Sequence, residues 1–519
     1  MLVKTVSAAL HGIDAVMITI ETNLGHGLGH VNIVGLPDNA VRESEQRIRS
    51  ALQVNAYHFP NKDVVVNMAP ADIRKEGASF DLPIAIALLA SNEELSTVRL
   101  QDYLLTGELS LDGTLQPVKG VLPMALKARE EGLRGIILPE ANAGEAAVVE
   151  GVEVYGMSNL RDVVRFLSGE QQVEPLSIDL SELFDNARGQ HEPDFADVRG
   201  QQNVKRALEV AAAGGHNILM VGPPGAGKSM MAKRLPSILP PLTLEEALET
   251  TKIHSVAGVL SAQHSLVTTR PFRSPHHTVS DVALVGGGVN PMPGEISLAH
   301  NGVLFLDELP EYKRTVLEVM RQPLEDRKIC ISRAKMSVEY PASFMLVAAM
   351  NPCPCGHYND PLHPCTCPPG AVHRYLSRIS GPLLDRIDIQ VEITPVPFEE
   401  LHRQEQSEKS ADIRKRVMRA REVQAERFRQ EAAKGGAQTY CNAQMTSRQM
   451  RRYCELDEDS THMVRFAMER LGLSARAYDR IMKVARTIAD LDGSEHILTQ
   501  HIAEAIGYRS LDRGDWAER

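Results

Sequence analysis

The 519-residue sequence lacks several features that mark well-known classes of protein. It has no apolar run of the roughly 18 to 20 residues that a membrane-spanning helix needs. Its seven cysteines, an odd number in so long a chain, do not form the framework of a small disulfide-stabilised secreted domain. We find no internal repeat, no long low-complexity tract and no signal peptide in the polar N-terminal region. The sequence therefore predicts a soluble, cytoplasmic protein.

The chain also lacks an excess of positive charge. It has 56 Lys and Arg against 67 Asp and Glu, so its formal net charge is −11. This balance excludes a small, strongly basic protein that coats nucleic acid, but it leaves a local basic channel open. Residues 1–194 carry 15 basic and 28 acidic side chains, whereas residues 195–519 carry 41 and 39. The acidic surplus therefore belongs to the first part of the chain.

Length and pattern together predict about three domains, at roughly 150 residues per domain. Residues 1–168 alternate between strands and helices, and 169–194 form an acidic stretch with Gly and Pro that we interpret as a linker. A second α/β region covers 195–395, and 396–519 is helical in composition. In the first region we predict strands over Val3–Ala9, Ala15–Glu21, Asp63–Met68 and Ile136–Leu138, and helices over Asp38–Asn55 and Ile84–Ala90.

The clearest chemical motif follows an apolar strand over Asn217–Val221 and precedes a helix near Met230. It has the spacing G-x-x-x-x-G-K-S, in which backbone N–H groups and a helix N-terminus surround a polyphosphate. The residues assigned to nucleotide binding are Gly222, Pro223, Pro224, Gly225, Ala226, Gly227, Lys228 and Ser229. Lys228 is predicted to reach the β- and γ-phosphates, and Ser229 to bind Mg²⁺. The alternative, a chance glycine-rich turn, does not explain the strand and helix on either side.

Two further strands end in polar residues suited to the same site. The strand over Gly302–Leu306 leads into Asp307 and Glu308. Asp307 is predicted to hold Mg²⁺, directly or through water, and Glu308 to polarise the attacking water. A third strand ends at Asn351, which is placed to orient that water. An exposed acidic turn is the alternative for the two carboxylates, and the order of the parts along the chain favours the catalytic interpretation.

Together these motifs resemble an AAA+ ATPase of the magnesium-chelatase-like type, and essentially the whole chain is similar to the ComM/YifB family. The segments that carry this similarity are Arg270-Pro-Phe-Arg-Ser-Pro-His-His277, Asn351-Pro-Cys-Pro-Cys-Gly356, Gly381-Pro-Leu-Leu-Asp-Arg-Ile-Asp388 and Ala485-Arg-Thr-Ile-Ala-Asp-Leu491. The resemblance implies three roles: sensor 1 for Asn351, an arginine finger for Arg386, and sensor 2 for Arg476.

Two of these roles have alternatives within the sequence. Arg386 is also placed to form a structural ion pair with Asp385 or Asp388. The sensor-2 assignment competes with other arginines on the same predicted helix, at positions 480 and 486. If Arg386 acts on a neighbouring subunit, the protein must be an oligomer.

The first region resembles the Lon protease domain, an α+β fold of the S5 domain 2-like type. Lys75-Glu-Gly-Ala-Ser79 matches the turn that holds the Lon nucleophile. Ser–Lys catalysis also needs a lysine as general base. The expected position holds Leu122, and Lys119 and Lys127 are out of register. We therefore expect a non-catalytic Lon-like domain that acts as a scaffold or binds a partner.

Four cysteines lie within 15 residues, with two histidines between them. They are Cys353, Cys355, Cys365 and Cys367. In extended backbone, residues i and i+2 point to the same side, so each Cys-x-Cys presents two sulfurs together. Two such pairs predict a tetrahedral zinc site, with the histidines as spare or alternative ligands. Redox-active thiols and free cysteines in a stiff loop are the alternatives.

The interval between the two nucleotide motifs contains basic residues and a glycine run, Gly286-Gly-Gly288. AAA+ motors commonly place substrate-gripping loops there. Arg270 and Arg273 are the candidates for contact with the phosphates of a DNA strand. An ordinary surface hairpin is the alternative. A second basic stretch, Arg414–Arg429, has an apolar helical stripe, so packing explains most of it without DNA.

The expected fold is α/β: a Lon-like α+β domain, a P-loop AAA+ core with a cysteine-rich insert at 353–367, and a helical lid. The resemblance implies an ATP hydrolase that uses ATP and Mg²⁺ and assembles as a homo-hexamer without a membrane partner. It further implies a helicase that acts on single-stranded and branched DNA and promotes branch migration in homologous recombination, as in natural transformation. The alternative is a magnesium-chelatase-like or protein-remodelling ATPase that acts on a protein partner.

Overall fold

The structure is a computed structural model, and it describes most of the chain. The described residues are 2–27, 29–188, 193–260, 265–288, 290–333, 336–358, 360, 363–396, 407–432 and 439–509. Within them, no helix is both long enough and apolar enough to cross a membrane.

A seven-stranded mixed sheet and five helices form the first region. The sheet order is β3-β4-β2-β1-β5-β8-β9, and β6 pairs with β7 in a separate hairpin. The strands are β1 (Leu2–His11), β2 (Asp14–Leu24), β3 (Val31–Val34), β4 (Val64–Ala69), β5 (Tyr103–Leu105), β6 (Glu108–Leu109), β7 (Leu115–Gln116), β8 (Gly135–Pro139) and β9 (Glu153–Met157). The helices are α1 (Asn39–Val54), α2 (Asp81–Ser91), α3 (Val121–Glu130), α4 (Glu140–Ala146) and α5 (Leu160–Ser168). These elements confirm the α+β expectation and the predicted strands and helices.

Helix α2 is the centre of this region, because every one of its residues is buried. A helix that is apolar all round needs such surroundings. Its first residue, Asp81, accepts two hydrogen bonds from Arg47, at 2.6 and 2.9 Å. This pairing satisfies the buried carboxylate that the helix carries into the core.

The stretch 169–194 is more structured than a linker. It contains helix α6 (Leu180–Arg188), and Leu183 and Phe184 pack against a buried apolar cluster formed mostly by the first region and partly by the second. The stretch interpreted as a linker therefore contains a helix over Leu180–Arg188. Their apolar side chains are spaced as one face of a helix, which gives them a surface to cover.

A five-stranded parallel sheet lies at the centre of the second region, in the order β11-β14-β17-β10-β18. Its strands are β10 (Ile218–Val221), β11 (Phe272–Arg273), β14 (Val303–Leu306), β17 (Met345–Met350) and β18 (Ile389–Glu392). The helices are α7 (Gln202–Gly214), α8 (Lys228–Arg234), α9 (Leu244–Ala257), α10 (Asp281–Val285), α11 (Glu295–Leu298), α12 (Arg314–Val319), α13 (Arg321–Asp326), α14 (Ala371–Leu376) and α15 (Gly381–Leu384). The central strands are entirely buried, as in a parallel sheet covered on both faces.

Two short hairpins project from this region. The first pairs β12 (Gly286–Gly287) with β13 (Met292–Pro293), and the second pairs β15 (Lys328–Arg333) with β16 (Met336–Pro341). They lie side by side: a Cβ on Gly287 would be 3.4 Å from the guanidinium of Arg333.

The C-terminal region is helical, as expected. Its helices are α16 (Ser410–Ala432), α17 (Ser447–Tyr453), α18 (Glu458–Leu471), α19 (Ala475–Leu491) and α20 (Thr499–Gly507). The apolar stripe of α16, formed by Ile413, Val417 and Ala420, is buried in a core that also contains residues of α7 and β10. Residues 397–406 and the polar break at Lys434 lie outside the described residues.

The first region packs on the second through α3 and α9. The Gly120 N–H donates to the Ser255 carbonyl at 3.3 Å, and the Ser255 hydroxyl donates to the Glu145 carboxylate. Lys252 and Asp14 form an ion pair at 2.6 Å. The two regions therefore share a buried, hydrogen-bonded interface.

Candidate nucleotide site

The predicted phosphate loop lies at the carboxyl end of β10 and leads directly into α8. Gly225 and Gly227 have φ angles of +79° and +88°, a conformation that strongly favours glycine. A Cβ on Gly222 would lie 2.4 Å from the carbonyl oxygen of Ile393, so the residue that follows β18 approaches the loop closely from the other side. Because β10 lies between β17 and β18 in a parallel sheet, the ends of these strands meet at this loop.

The side chains predicted for this site are brought together from three strand ends. The Lys228 ammonium donates to the carbonyls of Gly222 and Pro223, at 2.7 and 2.9 Å, and to Asn351 Oδ1 at 3.1 Å. The Ser229 hydroxyl donates to Asp307 Oδ2 at 2.5 Å. The structure thus places the lysine beside the predicted sensor, and the two predicted magnesium ligands in contact.

Lys228 lies in surroundings that disfavour its charge. Its side chain is almost completely buried, and desolvation lowers its pKa, while the nearby Asp307 and Glu308 carboxylates act in the opposite direction. The ammonium therefore depends on oxygen acceptors, which the loop carbonyls and Asn351 supply here.

Glu308 differs from the other members of this cluster. It has a left-handed backbone, with φ +53°, and its N–H donates to Asp307 Oδ1 at 3.0 Å. Its side chain is 56% exposed, and one carboxylate oxygen lies 3.3 Å from Nδ1 of His277. No motif assigns His277 a role, although it lies in one of the segments that carry the family similarity.

Arg386 is buried within its own chain. Its Nε donates to the Arg321 carbonyl at 3.1 Å, one Nη donates to the Pro382 carbonyl at 2.6 Å, and the other lies 2.7 Å from Glu325. The ion pair considered as an alternative therefore exists, but with Glu325 instead of Asp385 or Asp388. To reach a nucleotide on a neighbouring subunit, the guanidinium must first leave these partners.

The three arginines of α19 have different surroundings. Arg476 is 64% exposed and lies 3.5 Å from Asp385. Arg480 lies 3.1 Å from Asp388, and Arg486 forms a buried ion pair with Asp490 at 3.0 Å. Arg476 is therefore the member of this set with the most solvent-accessible guanidinium.

A buried polar network surrounds Asp388, and no motif in the sequence indicates it. Its carboxylate contacts Nδ1 of His216 and the Asn217 N–H, both at 3.2 Å, as well as Arg480. His216 continues the network to the Thr487 hydroxyl at 2.8 Å. The pKa of Asp388 is held well below its usual range, because Arg480 and His216 outweigh the effect of burial. This network joins β18 to helix α19.

The four predicted cysteine ligands lie in one cluster. The sulfur of Cys353 is 3.2 Å from that of Cys355 and 3.8 Å from that of Cys365, and all four sulfurs, including Cys367, lie within 4.8 Å of one another. Burial raises the pKa of Cys353 to about 12. The pKa of Cys355 is lowered instead. Burial raises it, but backbone N–H donors and the neighbouring thiol outweigh burial and lower it to about 5.

The two histidines of the loop are not part of this sulfur cluster. His357 and His363 lie 2.8 and 3.4 Å from one oxygen of Asp360 and form a separate group with it. The loop also contacts the phosphate loop, since a Cβ on Gly356 would be 2.6 Å from Pro224 Cδ. The cysteine cluster therefore lies directly beside the candidate nucleotide site.

The two candidate DNA contacts are engaged inside the molecule. Arg270 is largely covered, with 15% of its side chain exposed, and its guanidinium donates to the carbonyls of Pro240 and Asn301 and to Glu246. Arg273 donates two hydrogen bonds to Glu295, at 2.7 and 2.8 Å. Arg270 is therefore engaged with these internal partners, and its contact with a DNA strand stays a prediction. A charge pattern alone does not show which arginines have internal carboxylate partners.

In the Lon-like region, the residues considered for Ser–Lys catalysis are buried. Leu122 is fully buried, and its N–H donates to Glu145 at 2.8 Å. Lys75, the lysine closest to Ser79 along the chain, is also buried, and its ammonium donates to the Pro70 carbonyl. Neither position supplies an accessible general base for Ser79.

Fold and site together define the class of this protein, which is an AAA+ ATPase of the magnesium-chelatase type. Three family models match the chain. "Magnesium chelatase, subunit ChlI" matches residues 194–401, "Subunit ChlI of Mg-chelatase" matches 20–142, and "Magnesium chelatase, subunit ChlI C-terminal" matches 407–509. This class implies ATP hydrolysis with ATP and Mg²⁺.

Relatives of similar length identify the family within this class. The chain is 45% identical to the competence protein ComM of Haemophilus influenzae, over 98% of this chain and 97% of that protein. It is also 45% identical to the protein YifB of Escherichia coli, over 97% and 96%. The chain belongs to the ComM/YifB family.

The Lon-like expectation is supported by a weaker match. Lon protease 2 of Syntrophobacter fumaroxidans is 29% identical over 161 residues, which is 29% of this chain and 20% of that protein. The relationship covers the first region alone, where the position expected for the catalytic lysine holds Leu122.

Proposed function

We propose that this protein is an ATP-driven motor that forms a homo-hexameric ring and acts on DNA as a helicase, promoting branch migration in homologous recombination. The observation that carries the ATPase part is the meeting of Lys228, Ser229, Asp307 and Asn351 at the ends of three neighbouring strands. The DNA part is supported by the full-length similarity to a protein named for competence.

The residues present suit a magnesium nucleotide. Ser229 and Asp307 offer adjoining hard oxygen donors, which is the chemistry that Mg²⁺ prefers. When bound, Mg²⁺ neutralises charge on the phosphates. Lys228 exchanges its carbonyl and Asn351 acceptors for phosphate oxygens, and Glu308 accepts the proton of the attacking water. Asn351, already beside the lysine, orients that water.

Two substitutions test the assignment of this cleft. Lys228→Ala removes the ammonium that contacts phosphate, so nucleotide binding and hydrolysis are both lost. Glu308→Gln keeps size and polarity but cannot accept a proton, so binding of a fluorescent ATP analogue stays near wild type while hydrolysis falls by about 10²-fold or more. Hydrolysis that survives both substitutions would show that another site is responsible.

Within this proposal Arg386 is the finger that acts on the neighbouring subunit, and Arg476 is sensor 2. Arg386 must then exchange its ion pair with Glu325 for the γ-phosphate when the ring forms. Arg386→Ala is expected to abolish hydrolysis and to leave ATP binding nearly intact. Loss of nucleotide affinity instead contradicts the finger role. The same two measurements on Arg476→Ala give the comparison with an arginine that is exposed in the free chain.

The two hairpins are the elements we propose to contact DNA. They are adjacent, and Arg333, at the end of β15, is exposed beside the glycines of the first hairpin. Phosphate contacts of this kind weaken steeply as salt rises. Strand displacement on forked and four-way DNA, with Lys228→Ala as control, tests this activity. If no DNA changes the rate of ATP hydrolysis, the second candidate is favoured, a chelatase-like motor that remodels a protein. The match to the ChlI family models supports this candidate.

We further propose that the four cysteines bind structural zinc. The sulfurs of Cys353, Cys355 and Cys365 lie 3.2 to 3.8 Å apart, and all four sulfurs, including that of Cys367, lie within 4.8 Å of one another. These separations are near the edge of about 3.8 Å expected for a tetrahedron with Zn–S bonds of about 2.3 Å. Elemental analysis of the purified chain should give about one zinc per chain. Cys353→Ser should remove it, whereas Cys330→Ser, at an exposed cysteine outside the cluster, should not. A zinc content near zero in the wild type refutes the site.

A further inference from the structure

A second group of metal-ligating side chains lies beside the cysteine cluster and is separate from it. It consists of His357, Asp360 and His363, whose ligand atoms all lie within 4.8 Å of one another. The Nδ1 atoms of His357 and His363 lie 2.8 and 3.4 Å from the same carboxylate oxygen, Oδ2 of Asp360. Two imidazole nitrogens and one carboxylate oxygen therefore converge on one point, as the ligands of a shared ion do.

The sequence of this loop is symmetric about Asp360. On each side of Asp360 a histidine stands three positions away, and cysteines stand five and seven positions away. The fold brings matching positions together, since the sulfurs of Cys355 and Cys365 are 3.5 Å apart. The ring centroids of His357 and His363 are 5.0 Å apart. The two arms of the loop thus build two neighbouring sets of ligands, one of sulfur and one of nitrogen and oxygen.

The exposure of the three side chains suits a bound cation. The Asp360 side chain is 2% exposed, whereas those of His357 and His363 are 32% and 66% exposed. A carboxylate buried so deeply is stable when a positive charge lies beside it, and a divalent cation held by all three groups supplies that charge. Because the two histidines are open to solvent, the ion has a path into the site and out of it.

We propose that His357, Asp360 and His363 bind a divalent transition-metal ion, in a site distinct from that of the four cysteines. Imidazole and carboxylate together are ligands for Zn²⁺ and similar transition metals, whereas Mg²⁺ prefers sites made of oxygen alone. Three protein ligands leave the fourth position of a tetrahedral ion to water. Only one of these ligands is anionic and the site is partly exposed, so its ion exchanges with the solution more readily than one held by four thiolates.

The test measures the uptake of Zn²⁺ by the purified full-length protein, without nucleotide, through calorimetric titration and elemental analysis. Dialysis against a weak chelator first empties the exchangeable site and leaves the cysteine-bound zinc in place. Added Zn²⁺ should then fill about one further site per chain. Mg²⁺ should not fill it, because imidazole nitrogen is a poor ligand for that ion.

Substitutions assign the added ion to these three residues. His363→Ala changes the most exposed of them, so the fold should persist and the cysteine-bound zinc should be retained. Its affinity for the added Zn²⁺ should fall at least about tenfold, since the loss of an outer-shell partner alone costs about 10- to 100-fold. Asp360→Asn keeps the size of the side chain without its charge and should have the same effect. His373→Ala, at an exposed histidine outside both groups, is the matched control and should bind Zn²⁺ like the wild type.

The outcomes separate this site from the cysteine site. A wild-type protein that takes up no Zn²⁺ after dialysis refutes the second site, and so does uptake that survives His363→Ala. An equal loss of uptake in His373→Ala also overturns the inference. If His363→Ala instead loses the tightly bound zinc, the histidine belongs to the cysteine site and the second site is refuted. A chain without tightly bound zinc that still binds one ion through His363 and Asp360 supports the second site and refutes the cysteine site alone.

Discussion

The polar network around Asp388 allows a sharp prediction about how the helical C-terminal region is held to the ATPase sheet. Asp388 is 1% exposed and contacts three donors: Arg480 at 3.1 Å, His216 at 3.2 Å and the Asn217 N–H at 3.2 Å. Asp388→Ala removes the acceptor for all three and leaves the charge of Arg480 without its partner. Removing one partner of a buried pair costs about 3 to 5 kcal/mol. We expect the free energy of unfolding to fall by that amount.

The assay is urea-induced unfolding followed by circular dichroism, with two comparisons. Arg476→Ala, on the same helix, removes an exposed guanidinium 3.5 Å from Asp385 and should change stability by less than about 1 kcal/mol. The double variant Asp388→Ala with Arg480→Met removes both charges, so its loss should be smaller than the sum of the single losses by about 1 to 3 kcal/mol.

Either comparison can refute the predicted role of Asp388. If Asp388→Ala destabilises no more than Arg476→Ala, the buried network does not hold the helical region to the sheet. If the stability loss of the double variant equals the sum of the two single losses, Asp388 and Arg480 do not interact in solution, and their contact does not contribute to stability.

Three other predictions follow from single positions. Burial lowers the pKa of His216, so below the ordinary histidine pKa the unfolded chain binds more protons than the folded one. The free energy of unfolding should therefore fall as pH drops below about 6.5. In urea titrations, the free energy of unfolding of His216→Gln should depend less on pH. Because Leu122 holds the position expected for a catalytic base, casein should not be cleaved, and Ser79→Ala should change no rate; cleavage that needs Ser79 would contradict this. Val417→Ala should cost about 1 to 3 kcal/mol in chemical denaturation, whereas the exposed Arg429→Ala should stay within about 0.5 kcal/mol.

The nucleotide site was largely predictable because its motif combines local geometry with strand context. The glycine spacing requires a turn with positive φ, and the apolar run before it requires a buried strand. Asp307 and Asn351 each follow an apolar strand, and parallel strands place their carboxyl ends at one edge of the sheet. The contact between Lys228 and Asn351 follows from that arrangement.

The arginines were not predictable to the same degree. Arg270, Arg273 and Arg386 were assigned to external phosphates, yet each has an internal carboxylate partner, and Arg386 pairs with Glu325 some 60 positions earlier in the chain. A long flexible side chain carries no periodic signal, so its partner depends on which segments the fold brings together. Helix α6 was missed for a related reason, since an acidic surface obscured its short apolar face.

The sequence by itself determined the class of fold and the phosphate loop with its acidic and amide partners, and it predicted that Leu122 replaces a Lon-like base. These features depend on residues that are close in sequence or on buried strands whose apolar pattern is strong. Only the tertiary structure decided which charged side chains are buried and which pair with one another. It decided which arginines are buried, that Asp388 joins β18 to α19, and that His277 lies against Glu308. Ion pairs between distant segments form wherever packing leaves a carboxylate and a cation together, and packing is a property of the whole fold.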